Sequence, residues 1–213
     1  MPNIVTLEWV FWPSHGANII LQCMAKNADM FKGKSVLDVG SGTWILAIFA
    51  LKFWAERVCA TDIDKAATRN TLKNARKNKV IIEAKTWNYW EPFVGEKFDV
   101  IIANLPQEKT SWVKDVKWNK YILDFLPKAE EMLNDWWRLI VPINGCTHYK
   151  ETIWEIRKKW NVEKSQWTWI EIKNDVRDNI SMYLDEKNVT LRERESWHET
   201  PIFYLILTKK TTQ

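Results

Sequence analysis

Short runs of β-branched and apolar residues alternate with stretches of helical apolar spacing through most of this chain. The short runs predict strands over residues 35–39, 57–61, 80–84, 98–103, 138–143, 165–172 and 202–208. The intervening stretches predict helices over residues 18–30, 44–54, 65–78, 121–133 and 149–159. This alternation favours right-handed crossovers and a parallel sheet with helices on both faces. No crossover helix is evident before the last strand, so the predicted fold is α/β, with a seven-stranded, mostly parallel sheet and an antiparallel terminal strand.

Length and composition favour one soluble domain. The chain has 213 residues, without a linker, repeat or low-complexity stretch, which fits a single domain over residues 1–213. The net charge of +4 permits an acidic or nucleic-acid partner without arguing for one. Three scattered cysteines lack metal-ligand spacing, and no apolar run reaches membrane-spanning length. We therefore predict a cytoplasmic protein that uses neither a metal nor a membrane, and the sequence leaves its oligomeric state open.

Polar residues and glycines gather at the ends of three predicted strands. Asp38-Val39-Gly40-Ser41-Gly42 ends the first strand, Asp62-Ile63-Asp64 follows the second, and Asn104-Leu105-Pro106-Gln107 follows the fourth. In an open α/β sheet, ligands bind beyond the carboxyl ends of the strands. The three segments are therefore candidates for one binding site.

Each segment also has an ordinary structural explanation. Gly40 and Gly42 allow either close approach to a ligand or simply a sharp turn into the next helix. Asp62 and Asp64 both lie where an acid accepts hydrogen bonds from ribose hydroxyls in dinucleotide folds, and we assign Asp62 to this role. The ordinary alternative is a surface acid near a helix N-terminus, with Asp64 as its cap. Pro106 stops the fourth strand, so Asn104 and nearby carbonyl groups could hold an acceptor nitrogen. The three segments together are more specific than any one of them.

Together the three segments resemble class I S-adenosylmethionine (SAM) dependent methyltransferases, in particular the methyltransferase small domain group. The resemblance covers roughly residues 10–145, and the stretch from the glycine turn through Asp64 is also similar to ribosomal-protein lysine methyltransferases. It implies a Rossmann-like fold, SAM as cofactor, methyl transfer to nitrogen, and an N-terminal extension (residues 1–30) over the cofactor cleft. The implied acceptors are, in order, a protein side chain of the glutamine or lysine type, a nucleic-acid exocyclic amine and a small molecule.

The resemblance also implies roles for individual residues. The implied cofactor-binding residues are Asp38, Gly40, Ser41, Gly42, Asp62, Ile63, Asn88 and Asn104. Asp38, Gly40 and Gly42 would contact the methionine moiety, Asp62 would bind the ribose, and Ile63 would pack on the adenine. Asn88 lies near the place where the family often has an acid that touches the adenine amine. Asn104 and Pro106 are the implied catalytic residues, because they would hold the acceptor nitrogen.

The acceptor side departs from the family pattern at Gln107. The family has an aromatic residue there that stacks on a planar amide or base, and glutamine cannot stack comparably. A flipped nucleobase is therefore less favoured as the acceptor. We interpret His15, His148 and His198 as structural or exposed, because methyl transfer to nitrogen depends mainly on alignment.

Two other classes of function stay open from the sequence. A non-catalytic SAM-fold binding protein would fit both Gln107 and Trp44, which stands at the family's third glycine. An NAD-dependent oxidoreductase fits less well, because it needs the complete Gly-x-Gly-x-x-Gly pattern. It would also leave the Asn104 segment without a role.

Tryptophan is abundant in this chain and glycine is scarce. There are 15 Trp and 6 Gly, whereas typical usage would give about 15 Gly. The tryptophans at glycine positions of the family pattern are Trp44, Trp54, Trp118, Trp136 and Trp137. An indole at Trp44 would crowd the methionine pocket, and Trp54 occupies the place of a helix-ending glycine. We hypothesise that the native protein has glycines there, as when a UGA codon read as glycine is translated as tryptophan. The alternative is a repurposed relative with genuine tryptophans.

Overall fold

The computed structural model describes residues 15–42, 45–87, 91–107, 120–145, 149–171, 192–193 and 198–210. The α-helices within these residues are α1 (His15–Lys26), α2 (Ile45–Lys52), α3 (Lys65–Lys77), α4 (Lys120–Met132) and α5 (Tyr149–Lys159). The strands are β1 (Ser35–Val39), β2 (Arg57–Asp62), β3 (Glu83–Thr86), β4 (Phe98–Ala103), β5 (Leu133–Asn144), β6 (Trp160–Glu171), β7 (Arg192–Glu193) and β8 (His198–Lys209).

The strands form one sheet in the order β3-β2-β1-β4-β5-β8-β6, and the two-residue β7 pairs with β8. Neighbouring strands from β3 to β5 are parallel, whereas β8 is antiparallel to both β5 and β6. The predicted α/β class with a mostly parallel sheet and an antiparallel last strand is therefore confirmed. The last strand is inserted between β5 and β6, and β7 is a short additional strand that the apolar pattern did not predict.

The sheet separates two apolar layers. Helices α1 and α2 pack on one face with Val36 of β1, and α4 and α5 pack on the other face with Leu37 and Val39. The side chains of Val36, Leu37 and Val39 are all fully buried. Strands covered on both faces read as continuous apolar runs, which is why their positions are evident from the sequence.

The predicted strand boundaries were wrong at β3 and β5 for local reasons. After α3, Lys79 takes a left-handed φ of 54° and the Val80 N–H donates to the Ala75 carbonyl at 3.0 Å. This turn delays β3, which begins at Glu83 instead of at the predicted residue 80. In β5, Phe98 pairs with Leu133 but Val100 pairs with Arg138, so the strand begins five residues before the predicted residue 138 and is irregular between these two pairings.

Helix α1 and strands β6 and β8 begin three to five residues earlier than predicted. Helix α1 is followed by a 3₁₀ turn, Ala28–Met30, while β6 begins at Trp160, directly after α5. Among the described residues, none of the helices is both long enough and apolar enough to cross a membrane.

Candidate functional site

The three predicted site segments meet in one row at the carboxyl edge of the sheet. Val39 of β1 pairs with Thr61 of β2 on one side and with Ala103 of β4 on the other. The residues that follow these three in the chain are Gly40, Asp62 and Asn104, respectively. The register of three adjacent parallel strands therefore brings the glycine turn, the acid and the amide together, as the sequence predicted.

The glycine turn depends on the conformational freedom of glycine at two positions. Gly40 and Gly42 have φ values of 65° and 51°, in the left-handed region that disfavours residues with a Cβ atom. A Cβ atom on Gly40 would also lie 3.0 Å from Leu105 Cδ2. The glycine turn and the segment after β4 are therefore packed against each other.

Hydrogen bonds fasten the glycine turn to the end of β2. The Gly40 N–H and the Ser41 Oγ donate to the Thr61 carbonyl at 3.0 and 2.8 Å. The Gly42 N–H donates to Asp62 Oδ2 at 2.8 Å. The backbone of the turn and the Asp62 carboxylate are thus oriented as one unit before any ligand binds.

Asp62 retains capacity to accept hydrogen bonds from a ligand. Its Oδ1 accepts from the Asp64 N–H at 2.9 Å, so each oxygen has one protein donor. A carboxylate has about four acceptor sites, which leaves roughly one on each oxygen for a pair of ribose hydroxyls. Burial raises the pKa of Asp62, opposed by the N–H donors of Asp64 and Gly42. Asp64 caps α3, because its carboxylate accepts from the Ala66 N–H at 2.7 Å.

Asp38 is a buried carboxyl group without a hydrogen-bond partner. It is fully buried, and neither oxygen has such a partner among the described residues. Burial raises the pKa of Asp38 to about 7; the nearby Ala47 N–H opposes the shift although it does not meet hydrogen-bond geometry, and the Asp62 charge adds to it. An unpaired buried carboxylate is costly unless a ligand supplies a donor or positive charge. The ammonium group of SAM would supply both, so Asp38 fits this cofactor.

The segment after β4 alternates between buried and exposed side chains. Leu105 and Gln107 are buried, whereas Pro106 is exposed and Asn104 is partly buried. The Gln107 Nε2 donates to the Pro142 carbonyl at 2.8 Å, and its Oε1 accepts from the Asn144 N–H at 2.9 Å. Gln107 therefore contacts the backbone of β5. The comparison with an aromatic stacking residue missed this arrangement, and the sequence carries no signal for it, because it depends on how far β5 extends beyond β4.

The remaining predicted site residues are less constrained by the structure. Ile63 is 74% exposed beside the turn into α3, so its surface is available to a planar ligand. Asn88 lies outside the described residues, as do Trp44, His148 and residues 1–14 of the extension (residues 1–30) that was predicted to cover the cleft. His15 is the first residue of α1.

Comparisons with known proteins agree with this geometry. Residues 18–108 match the sequence model of the family described as "Ribosomal protein L11 methyltransferase (PrmA)", which is less than half of the chain. A ribosomal protein L11 methyltransferase from Caldicellulosiruptor bescii is 52% identical over 73 residues, covering 34% of this chain and 24% of the relative. This chain spans about a quarter of the length of the curated relatives that it matches.

Solved structures extend the likeness to nearly the whole chain at the level of the fold. The ribosomal protein L11 methylase of Lactobacillus delbrueckii subsp. bulgaricus has a TM-score of 0.60 at 20% identity, covering 92% of this chain and 81% of that one. The 16S rRNA N2 G1207 methyltransferase of T. thermophilus, solved with AdoMet and guanosine, has a TM-score of 0.63 at 15% identity. It covers 96% of this chain and 46% of that one. The predicted resemblance to class I SAM-dependent methyltransferases is therefore confirmed, in sequence over residues 18–108 and in fold over most of the chain.

Proposed function

We propose that this chain is a cytoplasmic SAM-dependent N-methyltransferase that acts on a protein side chain of the lysine type. The observation that carries the proposal is the row formed by Gly40, Asp62 and Asn104 at the ends of three adjacent parallel strands. That row supplies a backbone turn, a ribose acceptor and a polar amide on one edge of the sheet. The likeness of residues 18–108 to L11 methyltransferases supports the same assignment.

The cofactor side of the row would be occupied by SAM, which supplies a methyl group bound to a positively charged sulfonium sulfur. Asp38 would hold the ammonium group of its methionine moiety, and the Gly40–Gly42 turn would allow the backbone to approach it closely. Asp62 would accept hydrogen bonds from both ribose hydroxyls. The exposed side chain of Ile63 would pack on the adenine ring.

The acceptor side would orient a nitrogen atom with its lone pair towards the methyl carbon. Asn104 and the backbone beside Pro106 would hold this nitrogen by hydrogen bonds. A lysine ammonium would first lose a proton to solvent, which exposes the nitrogen lone pair. Transfer would then form a nitrogen–carbon bond and break the sulfur–carbon bond of SAM, leaving a neutral thioether. Alignment of the reacting atoms is the main contribution required of the protein.

A lysine-type acceptor is supported by the orientation of Gln107. Its amide is turned into the protein and bonded to β5, so position 107 offers no aromatic face for a planar amide or base. A lysine amine needs no such face. The curated relatives are named as methyltransferases of a ribosomal protein, which supports a protein acceptor in preference to a nucleic-acid one.

Calorimetry with SAM and with NAD tests the cofactor. Two proteins are compared, the chain as printed and its Trp44→Gly variant, because an indole at 44 would crowd the methionine pocket. We expect heat with SAM, at least for the variant, and none with NAD. Absence of SAM binding by the Trp44→Gly variant contradicts the proposal, and binding of NAD alone supports an oxidoreductase.

Methyl transfer from tritiated SAM to a host lysate, separated into protein and RNA, tests the acceptor class. We expect label in protein, at lysine after acid hydrolysis, and loss of that label with Asn104→Ala. Label at glutamine or in RNA would replace the lysine assignment by another acceptor. SAM binding without transfer to any fraction would support a non-catalytic binding protein.

A further inference from the structure

Strand β5 extends beyond the end of its neighbour β4 at the site. Ladder pairing between them ends at Ile102 opposite Ile140, and β4 itself ends at Ala103, whereas β5 continues to Asn144. The Pro142 carbonyl and the Asn144 N–H therefore face a place where no backbone of β4 remains. Both residues are deep in the fold, and Asn144 is only 8% exposed. Buried backbone groups of this kind require partners.

The Gln107 side chain supplies both partners in the pattern of a parallel ladder. In such a ladder, the N–H of one residue donates to a carbonyl of the partner strand. The C=O of the same residue accepts from an N–H that lies two residues further along that partner strand. Gln107 Nε2 donates to Pro142 O and Oε1 accepts from Asn144 N, at 2.8 and 2.9 Å. The primary amide thus takes the place opposite Ile143. By the register of Ile102 with Ile140, that place would otherwise belong to residue 105.

Because the Gln107 side chain occupies this place in the ladder, the backbone after β4 is released from the sheet. Residues 104–106 leave the ladder, and Pro106 becomes exposed while Gln107 returns to fill the vacated hydrogen bonds. Leu105 is held from the other side, since it packs close to Gly40. Two independent anchors, one on β5 and one on the glycine turn, therefore fix the segment that carries Asn104.

We infer that Gln107 is a positioning residue for methyl transfer, acting as a side-chain replacement for β4 that sets the orientation of Asn104 and Pro106. The inference rests on the proposed function for its catalytic consequence. The anchor itself can be measured without any transfer of methyl groups.

Three variants test the inference. Each is made in the protein that binds SAM, which is either the chain as printed or its Trp44→Gly variant. Gln107→Met keeps the length of the side chain and removes both hydrogen bonds, Gln107→Glu changes only the amide, and Gln166→Met is the matched control. Gln166 lies on β6, where its Oε1 accepts from Lys26 Nζ at 2.7 Å, away from the row of strand ends. We measure the initial rate of tritium transfer from saturating SAM to the protein fraction of a host lysate.

Gln107→Met is expected to slow transfer about 10- to 100-fold, because a displacement of about 1 Å in a reacting group has that order of effect. Its dissociation constant for SAM should stay within about twofold of the unchanged chain, and Gln166→Met should change neither quantity. A Gln107→Met variant with an unchanged rate overturns the inference. Equal loss of SAM affinity and rate would also overturn it, because the anchor would then serve the fold in general.

Gln107→Glu provides a readout that a purely structural role would not produce. A neutral carboxyl group has one donor and one acceptor, like the amide, but an ionised carboxylate cannot donate to the Pro142 carbonyl. The rate of this variant relative to the unchanged chain, measured at each pH, should therefore be near one at low pH and fall as the pH rises. A ratio that is independent of pH contradicts the inference.

Hydrogen exchange separates failure of the anchor from failure of the proposed function. The Asn144 amide should exchange slowly in the unchanged chain and faster in Gln107→Met, together with the amides of residues 103–105 and 107. Faster exchange with no methyl transfer in any variant would refute the proposed function and its catalytic consequence but retain the anchor. Unchanged exchange refutes the anchor even if the enzyme is active.

Discussion

The part of the sheet around β1 and β2 and the part around β5 and β8 contribute to the site in different ways. On the side of β1 and β2, the proposed site residues lie in the last two positions of a strand or in the turn that directly follows it, and Gly42 and Asp62 contact each other across 20 residues of sequence. On the side of β5 and β8, the site is supported through contacts such as Gln107 with Asn144 and Gly145 with Pro201. The match to the family sequence model ends at residue 108, at the boundary between these sides. The proposed cofactor side consists of consecutive strand-to-helix units and can be predicted from local motifs, whereas the proposed acceptor side depends on pairings between distant residues and cannot.

The largest expected effect is on the cofactor side and follows from Asp62→Ala. This change removes the ribose acceptor and also the partner of the Gly42 N–H. Hydrogen bonds to a charged group are worth about 1.5–3 kcal/mol each, so we expect SAM affinity to fall by at least about 100-fold. Calorimetry measures the change, with Gln107→Met as the control that should bind SAM normally. Comparable SAM binding by Asp62→Ala would refute the division into a cofactor side and an acceptor side.

A change on the other side should lower stability without altering the cofactor site. In Gly145→Ala, the new Cβ atom would lie 2.6 Å from Pro201, including its backbone oxygen. Overpacking of this kind costs about 1–3 kcal/mol, so the free energy of unfolding in urea should fall by about 2 kcal/mol. Gly33→Ala is the comparison for backbone strain without overpacking, since its φ of 67° costs a residue with a Cβ atom about 1–2 kcal/mol while the new atom meets open space. An unchanged free energy of unfolding in Gly145→Ala would show that the contact with Pro201 does not restrain the end of β5.

The protonation state of Asp38 should make SAM binding depend on pH. Its pKa of about 7 means that the carboxyl group of the free protein is neutral below pH 7 and ionised above it. The cationic methionine moiety needs the ionised form, so affinity should fall about tenfold per pH unit below pH 7, or about 1.4 kcal/mol. Above that pH the affinity should level off.

Titration calorimetry from pH 5 to pH 8 measures this dependence. In Asp38→Asn, binding should be weaker and most of the slope should disappear; any slope that persists would come from Asp62, whose pKa burial also raises. An affinity for SAM in the unchanged chain that is constant over this range would show that Asp38 does not face the positive charge.

The sequence was sufficient to predict most of the fold and the row of strand ends that we propose as the binding site, because both depend on local patterns. Continuous apolar runs identified the buried strands, and strand ends identified Gly40, Asp62 and Asn104. The role of Gln107 could not be predicted, since it depends on how far β5 outlasts β4, a property of the pairing register. The start of β3 was likewise set by the left-handed residue Lys79, for which lysine gives no signal.

The ends of helices α2 and α3 give the smallest expected effect, and they bear on the excess of tryptophan. Trp54 and Lys79 have φ values of 62° and 54°, and each follows its helix in the same motif. The N–H groups of Ala55 and Val80 donate to the carbonyls of Ala50 and Ala75, as in a Schellman motif that usually has glycine at the left-handed position.

Trp54→Gly and Lys79→Gly should therefore each raise the free energy of unfolding by about 1 kcal/mol, because the left-handed conformation costs a residue with a Cβ atom about 1–2 kcal/mol. Circular dichroism in urea measures both changes. A loss of stability in Trp54→Gly alone would mean that the indole, although 69% exposed, packs favourably and belongs there. The left-handed backbone at Trp54 supports a glycine in the native protein, but Lys79 shows that this chain tolerates another residue in the same conformation. The intact mass of the protein from its host decides between them: a mass lower by whole tryptophan-to-glycine differences supports recoding, and a mass equal to that of the printed sequence excludes it.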